Sequence, residues 1–66
     1  EQDDESAFEW FLNAAEKEDA YAQMNVGFCY EKGIGCEIDL VQAMHWYKKS
    51  AAQGIQQAAA AVVRLS

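Results

Sequence analysis

Residues 43–54, AMHWYKKSAAQG, repeat the pattern of residues 7–18, AFEWFLNAAEKE. Trp46 stands 46 − 10 = 36 residues after Trp10. Seven pairs of identical residues share this offset: Glu1/Glu37, Asp3/Asp39, Ala7/Ala43, Trp10/Trp46, Ala15/Ala51, Ala22/Ala58 and Val26/Val62. A period of this length is typical of arrays of helix pairs, in which each pair buries its apolar face by stacking on its neighbours. The sequence therefore predicts an all-α chain, an α/α solenoid of helix-turn-helix repeats.

Apolar periodicity predicts about four helices, over residues 3–17, 20–32, 39–53 and 56–65. The third has apolar side chains at helical spacing, which we expect on its buried face: Leu40, Ala43, Met44, Tyr47 and Ala51. Asp39 followed by Gln42 has the spacing of a capping box at the start of this helix. The first helix begins at Asp3, with Ser6 and Glu9 as a competing cap.

The turns between these helices have recognisable residues. Asp19 is a suitable N-cap for the second helix, and Gly33 can end it in the left-handed conformation. Residues 33–35, Gly-Ile-Gly, then reverse the chain. Gly54 can end the third helix in the same way, but the equivalent residue in the first repeat is Glu18, at 54 − 36 = 18. A residue with a Cβ adopts that conformation at a cost, so we expect a strained turn there.

A family resemblance rests on one ordered set of motifs: Ala22-Gln23, Val26-Gly27, Tyr30, Gly33-Ile34-Gly35, Asp39, Ala43 and Trp46-Tyr47-Lys48-Lys49-Ser50-Ala51-Ala52-Gln53-Gly54. This set resembles the Sel-1-like repeat family, relatives of the tetratricopeptide repeats. The resemblance implies a right-handed superhelix whose concave side recruits other proteins, often as an adaptor. It also implies structural roles for Trp10, Gly27, Gly33, Gly35, Trp46, Tyr47 and Gly54.

The resemblance divides the chain, residues 1–66, into three parts. Residues 19–54 are predicted to form one complete repeat, and residues 1–18 the last helix of a preceding repeat. Residues 55–66 are predicted to form a terminal helix, because Ile55, Val63 and Arg64 depart from the small or polar residues usual in the family.

Composition and charge narrow the class of partner. The chain has 66 residues, 52% of them hydrophobic, no proline and a net charge of −6, which is typical of a globular helical piece without a membrane span. Residues 1–19 carry eight acids and one base, or −7, and residues 20–66 three acids and four bases, or +1. This balance argues against nucleic acid as a partner and favours a protein or peptide of basic character. The alternative is that the acids at residues 3–5 only stabilise the start of the first helix.

A chain of this size buries only about 60% of the surface it exposes when unfolded. Arrays of helix pairs usually need about three repeats for stability. We therefore expect the 66-residue chain to be marginally stable or to self-associate.

Cysteine and histidine offer few candidates for chemistry. Cys29 and Cys36 could form a disulfide, but free cysteine also acts as a small buried hydrophobe. His45 lies about 160° around its helix from Tyr47, which predicts that it faces water. No zinc-type spacing of cysteines and histidines is present. The sequence thus predicts no catalytic residue, metal or cofactor; the alternative is a small redox, metal or hydrolase unit that uses these residues.

The second helix has the most distinctive surface. With Val26 on the core side, an outward arc holds a predicted partner-binding set: Tyr21, Met24, Asn25, Phe28 and Glu31. In the alternative interpretation, neighbouring helices cover these side chains. Trp10 and Trp46 are predicted to fill seams between neighbouring repeats. The function that this pattern predicts is a protein–protein interaction scaffold or adaptor.

Overall fold

The computed structural model describes residues 3–66, which form four helices and contain no strand. The helices are α1 (Asp4–Glu16), α2 (Ala20–Lys32), α3 (Leu40–Ala52) and α4 (Gln56–Leu65). Each helix packs against the next one along the chain. The predicted all-α repeat fold is therefore confirmed. Glu1 and Gln2, which belong to the predicted 1–18 segment, lie outside the described residues.

Aspartate side chains cap the first three helices by accepting backbone N–H groups: Asp3 from Glu5, Asp19 from Ala22 and Asp39 from Gln42. Ser6 is not the competing cap of α1, since its hydroxyl instead donates to Asp3 at 3.0 Å. Gln42 does not complete a capping box, because the Asp39 N–H already donates to the Tyr30 carbonyl at 2.9 Å. In α4 the N-cap residue is Ile55, whose side chain makes no capping hydrogen bond.

Two apolar clusters form the core. The first lies between α1, α2 and α3 and consists of Ala15, Ala22, Val26 and Trp46. The second lies between α3 and α4 and consists of Ala43, Tyr47, Ala58 and Ala61. The prediction that Leu40 lies on the buried face of α3 is wrong, because Leu40 is exposed while Trp46 is buried. The cause is that α3 packs against helices on two sides, so its buried arc centres on Trp46 and Tyr47.

Gly27 allows α2 and α3 to approach closely. A Cβ at this position would lie 2.9 Å from Tyr47 Cδ1 and 3.1 Å from the Ala43 carbonyl oxygen. Contacts of this length require one of the helices to move. The absence of a side chain at Gly27 therefore sets the distance between the two helices of this repeat.

The turns follow the predicted pattern. Gly33 ends α2 at φ +74°, and its N–H donates to the Cys29 carbonyl at 2.7 Å. Gly54 follows α3 at φ +95°, and Glu18, its counterpart after α1, adopts φ +70°. Among residues 3–66, Glu18 is the one residue other than glycine whose φ angle is positive. Its backbone therefore adopts the left-handed conformation that costs a residue with a Cβ about 1 kcal/mol or more.

Candidate functional site

A groove of about 370 Å³ opens between α2 and α4. Its lining comes from three helices: Met24, Asn25 and Phe28 of α2, Tyr47 of α3, and Gln57, Ala61 and Arg64 of α4. The wall is mostly apolar, and it also includes two side-chain amides and one guanidinium. Such a combination can bury an apolar side chain and offer hydrogen bonds to the groups around it.

Glu31, Tyr47 and Arg64 form a polar cluster beside this groove. The Tyr47 hydroxyl donates to Glu31 Oε1 at 2.8 Å. Arg64 donates from Nη2 to Oε1 at 3.1 Å and from Nη1 to Oε2 at 2.5 Å, a bidentate pair. Lys32 Nζ lies 3.8 Å from Glu31 Oε2. One carboxylate thus connects α2, α3 and α4.

The cluster determines the charge state of its members. The hydrogen bonds from Arg64, together with the hydrogen bond from Tyr47 and against the opposing effect of burial, lower the pKa of Glu31 to about 2. Burial, followed by the hydrogen bond to Glu31, raises the pKa of Tyr47. At neutral pH the carboxylate is therefore ionised and the phenol is protonated, as the donor geometry requires.

The predicted partner-binding residues have different surroundings. Met24 and Asn25 are half-buried, Phe28 is 45% exposed, and all three line the groove. Tyr21 is exposed but does not line it. The prediction that Glu31 projects outward is wrong, since its side chain is 8% exposed and its carboxylate is held by Tyr47 and Arg64. The periodicity of α2 alone could not indicate those distant partners, and a partner-binding role for Glu31 stays a prediction.

Sequence reasoning missed a buried polar network at the α1–α2 turn. Gln23 and Ser50 are both fully buried. Gln23 donates to the Ala15 carbonyl at 3.2 Å and accepts from Gln53 Nε2 at 3.0 Å. The same Gln53 nitrogen lies 3.0 Å from the Glu18 carbonyl oxygen, and the Ser50 hydroxyl donates to the Ala20 carbonyl at 2.7 Å. The sequence did contain a signal for the burial of Gln23, because Gln23 lies three residues before Val26 and therefore on the same, core-facing side of α2.

The two tryptophans differ in surroundings. Trp46 is 9% exposed and packs with Ala15, Ala22 and Val26, as expected for a residue that fills a seam between repeats. Trp10 is 69% exposed, and its ring makes an edge contact of 5.4 Å with Phe11 of its own helix. Within residues 3–66 no neighbouring helix covers Trp10, so its place in a seam between repeats stays a prediction.

Cysteine and histidine are not arranged as a reactive centre in the described part of the chain. Cys29 and Cys36 are free, and the Cys36 thiol donates to the Cys29 carbonyl at 3.6 Å. Burial raises the pKa of both thiols. His45 is exposed, as predicted, and its ring lies edge-on to Trp46 at 5.4 Å. Residues 3–66 contain no cluster of three or more His, Cys, Asp or Glu side chains that could hold a metal ion.

The helix-pair geometry and its internal register agree with a known family. The family model described as Sel1 repeat matches residues 1–19 and 20–55. This chain belongs to the Sel1 repeat family. A crystal structure of a Sel1 repeat protein from Oxalobacter formigenes superposes with a TM-score of 0.96 at 42% identity, covering 98% of this chain and 27% of that one. The family resemblance read from the sequence is thus confirmed.

Similar sequences occur in much longer proteins. Activator of C kinase protein 1 of Saccharomyces cerevisiae is 38% identical over 63 residues, which cover 91% of this chain and 10% of that protein. DAP3-binding cell death enhancer 1 of Rattus norvegicus is 39% identical over 56 residues, 85% of this chain and 11% of that protein. Chitin synthase regulator SKT5 of Saccharomyces cerevisiae is 41% identical over 51 residues, 77% of this chain and 7% of that protein.

The chain therefore spans between 7% and 11% of the length of these relatives. Sel1 repeat proteins bind other proteins and are generally adaptor or scaffold folds without enzymatic activity. None of the described helices is long and apolar enough to cross a membrane.

Proposed function

We propose that this chain is a protein-binding module of a scaffold or adaptor, and that it holds a peptide segment in the groove between α2 and α4. One observation carries the proposal. Met24, Asn25 and Phe28, which periodicity alone predicted as partner-binding residues, line one groove together with Gln57 and Arg64 of α4. The groove lies between α2 and α4, the corresponding helices of two adjacent repeats, and this position fits the concave side of a helix-pair solenoid.

The size of the groove favours a peptide. A volume of about 370 Å³ is at the lower end of the range for ligand pockets and accommodates one or two apolar side chains. Phe28 and Met24 supply the apolar contact surface, and the amides of Asn25 and Gln57 can bond to a peptide backbone. An apolar anchor residue flanked by exposed backbone would satisfy both kinds of group.

The negative charge that could attract a basic partner lies outside the groove. Arg64 neutralises Glu31, so the groove itself does not select a basic ligand. The acidity lies in residues 1–19, with eight acids against one base. Lysine or arginine residues next to the anchor would therefore increase the association rate more than they would increase the contact energy. We therefore place the basic residues of the partner in the segments that flank its apolar anchor residue.

The names of the relatives support a binding role, since they describe activation, binding and regulation of other proteins. Those names refer to proteins of which this chain matches about a tenth. The alternative function, a small redox, metal or hydrolase unit, has no specific support, because the raised pKa of Cys29 and Cys36 disfavours the reactive thiolate.

A peptide library tests the proposal. Peptides from a phage-displayed random library would be selected on the wild-type chain and then measured against Phe28→Ala and Met24→Ala. His45→Ala is the matched control, because His45 is exposed on α3 and does not line this groove. We expect about 30-fold weaker binding for Phe28→Ala, the size of a 2 kcal/mol anchor, and wild-type binding for His45→Ala.

Circular dichroism would verify that each variant keeps its helices. Wild-type affinity in both folded groove variants would show that the groove is not the binding surface. Loss of helical structure in Phe28→Ala would assign Phe28 to the core. The affinity of Met24→Ala would then decide whether the groove binds the peptide.

A further inference from the structure

The two walls of the groove between α2 and α4 are related by the 36-residue register. The lining residues on α4 are Gln57, Ala61 and Arg64. Their counterparts 36 residues earlier, on α2, are Tyr21, Asn25 and Phe28. Asn25 and Phe28 line the same groove, and Tyr21 is 64% exposed. The groove is therefore formed by the same face of two equivalent helices.

Arg64 is the one charged residue among the described residues that line this groove. Its counterpart is Phe28, so the cation is not part of the repeated pattern. The guanidinium has five N–H groups, of which two donate to the carboxylate of Glu31. The side chain of Arg64 is nevertheless 55% exposed. Its remaining N–H groups can therefore donate to a ligand in the groove.

The charge around Arg64 favours an anionic ligand group. Glu31 binds Arg64, and Lys32 Nζ lies 3.8 Å from Glu31 Oε2. Together these three residues carry +1, since two cations accompany one ionised carboxylate. An anion at Arg64 would form charge-assisted hydrogen bonds, which are about twice as strong as those between neutral groups.

The start of α2, beyond the other end of the groove, is acidic. Residues 16–19 are exposed and consist of Glu16, Lys17, Glu18 and Asp19. Asp19 stands nine residues before Phe28, which corresponds to about 14 Å along a helix. An extended peptide covers this length with about four residues. A ligand with an anion at one end and a cation about four residues away would complement both ends.

We infer that the groove binds the carboxyl-terminal residue of a partner protein, with its free main-chain carboxylate on Arg64 and its apolar side chain against Phe28 and Met24. This ligand is the peptide of the proposed function, on which the inference rests. A terminal residue carries an apolar side chain and a carboxylate on the same Cα, so it fits a small apolar groove with one cation in its wall. An internal aspartate would fill part of the 370 Å³ with its own side chain and leave less room for an apolar anchor.

The orientation of the bound peptide follows from the two charged ends. Its chain runs from the carboxylate at Arg64 toward the start of α2, where a lysine or arginine would meet Glu18 and Asp19. The amides of Asn25 and Gln57, which line the groove between these ends, can bond to the peptide groups in the middle.

Peptides with free and with amidated carboxyl ends test the inference. Binders of the wild-type chain would be selected from a library that displays random hexapeptides with free carboxyl ends. The selected peptide would be synthesised as the acid and as the amide, and fluorescence polarisation would measure both affinities. We expect the amide to bind at least about tenfold more weakly, because it lacks the charge that bonds to Arg64.

The variant Arg64→Gln should bind the acid and the amide with similar affinity. Lys48→Gln is the matched control, because it removes an equal charge from an exposed residue of α3 outside the groove, and it should keep the wild-type preference for the acid. Circular dichroism would verify that both variants keep their helices. If Arg64→Gln loses helix, Arg64→Lys takes its place, and the preference should then fall at least about threefold, because lysine cannot form the bidentate contact.

Equal affinity of acid and amide for the wild-type chain would overturn the inference. The proposed function would stand in that case if Phe28→Ala weakened both forms, so the two failures can be distinguished. An amidated peptide with aspartate as its last residue that binds as tightly as the acid would overturn the assignment to a chain terminus. An unchanged preference for the acid in the folded Arg64 variant would overturn the role of Arg64. A library without any binder that depends on Phe28 would overturn both the proposed function and this inference.

Discussion

Tyr47 and Glu31 join α3 to α2 through a hydrogen bond of 2.8 Å, in which the phenol donates to one carboxylate oxygen. Arg64 of α4 donates to both oxygens of the same carboxylate. This contact matters for α4 because its N-cap residue, Ile55, has no side-chain hydrogen bond to offer the helix start. The attachment of α4, and with it the second wall of the groove, therefore depends in part on the charge of Glu31.

The first prediction concerns pH. The pKa of Glu31 is lowered from 4.5 to about 2 in the folded chain, so this carboxylate stabilises the fold above the higher value. That contribution is lost as pH falls from 4.5 toward about 2, because the unfolded chain then binds a proton more readily than the folded one. Urea titrations at several pH values should show the loss in the wild type and a flatter profile in Glu31→Gln.

At neutral pH, Glu31→Gln should lower the free energy of unfolding by about 1 to 3 kcal/mol, as expected when hydrogen bonds to a buried charged group are weakened. Glu37→Gln, at an exposed carboxylate, is the control and should keep the wild-type pH profile. A Glu31→Gln profile that matches the wild type between pH 2 and pH 5 would contradict the prediction.

The second prediction concerns the aromatic core of α3. Trp46→Ala and Tyr47→Ala should each lower the free energy of unfolding by about 3 to 5 kcal/mol, since each removes a large buried ring. His45→Ala lies between them in sequence but is exposed, and it should change stability by no more than about 0.5 kcal/mol.

Losses of this size would unfold a chain of small stability. Sucrose stabilises folded proteins, so urea titrations in sucrose as well as in buffer would keep the stability of the Trp46 and Tyr47 variants measurable. A loss at His45 as large as that at Tyr47 would show that the faces of α3 are assigned incorrectly.

The third prediction concerns the buried amide of Gln23. Gln23→Leu should destabilise the chain by about 0.5 to 1.5 kcal/mol, because the Ala15 carbonyl and the Gln53 amide would each lose one of their hydrogen bonds. Thermal unfolding followed by circular dichroism measures the effect. Gln56→Leu, an exposed glutamine of α4, is the control and should be nearly neutral. Equal stability of Gln23→Leu and the wild type would mean that water replaces the lost bonds.

The fourth prediction concerns the two equivalent turn residues Glu18 and Gly54. Glu18→Gly should stabilise the chain by about 0.5 to 1 kcal/mol, because glycine adopts φ +70° without the steric cost of a Cβ. Gly54→Ala should destabilise it by about 1 kcal/mol. No atom lies within 4 Å of a Cβ built at Gly54, so this loss would be conformational alone.

Urea denaturation of both turn variants and of their combination would measure these effects, which should add because the substitutions lie in separate turns. A destabilised Glu18→Gly variant would show that the Glu18 side chain contributes more than its backbone conformation costs.

Much of the fold could be predicted from the sequence because its signals are local. Asp3, Asp19 and Asp39 each cap a helix whose first turn lies within a few residues of the aspartate. Gly33 ends α2 through its own φ angle, and the register of 36 follows from the sequence alone. Met24 and Phe28 were placed on an outward arc by helical periodicity, and both line the groove.

Other features depend on residues far apart in the chain. Glu31 belongs by periodicity to the outward arc of α2, yet Tyr47 and Arg64, 16 and 33 residues later, hold its carboxylate inside. Gln23 is polar and nevertheless fully buried, because Gln53 and the Ala15 carbonyl satisfy its amide. Such pairings arise only when separate helices meet.

Trp10 and Trp46 separate the two kinds of information most clearly. The sequence by itself determined that each stands at the same position of a repeated helix, since the residues around them match at an offset of 36. Only the tertiary structure decided that Trp46 is buried and Trp10 exposed. The physical reason is that a helix position depends on neighbours a few residues away, whereas burial depends on whether another helix covers the side chain. In residues 3–66, α1 and α2 cover Trp46, and no helix covers Trp10.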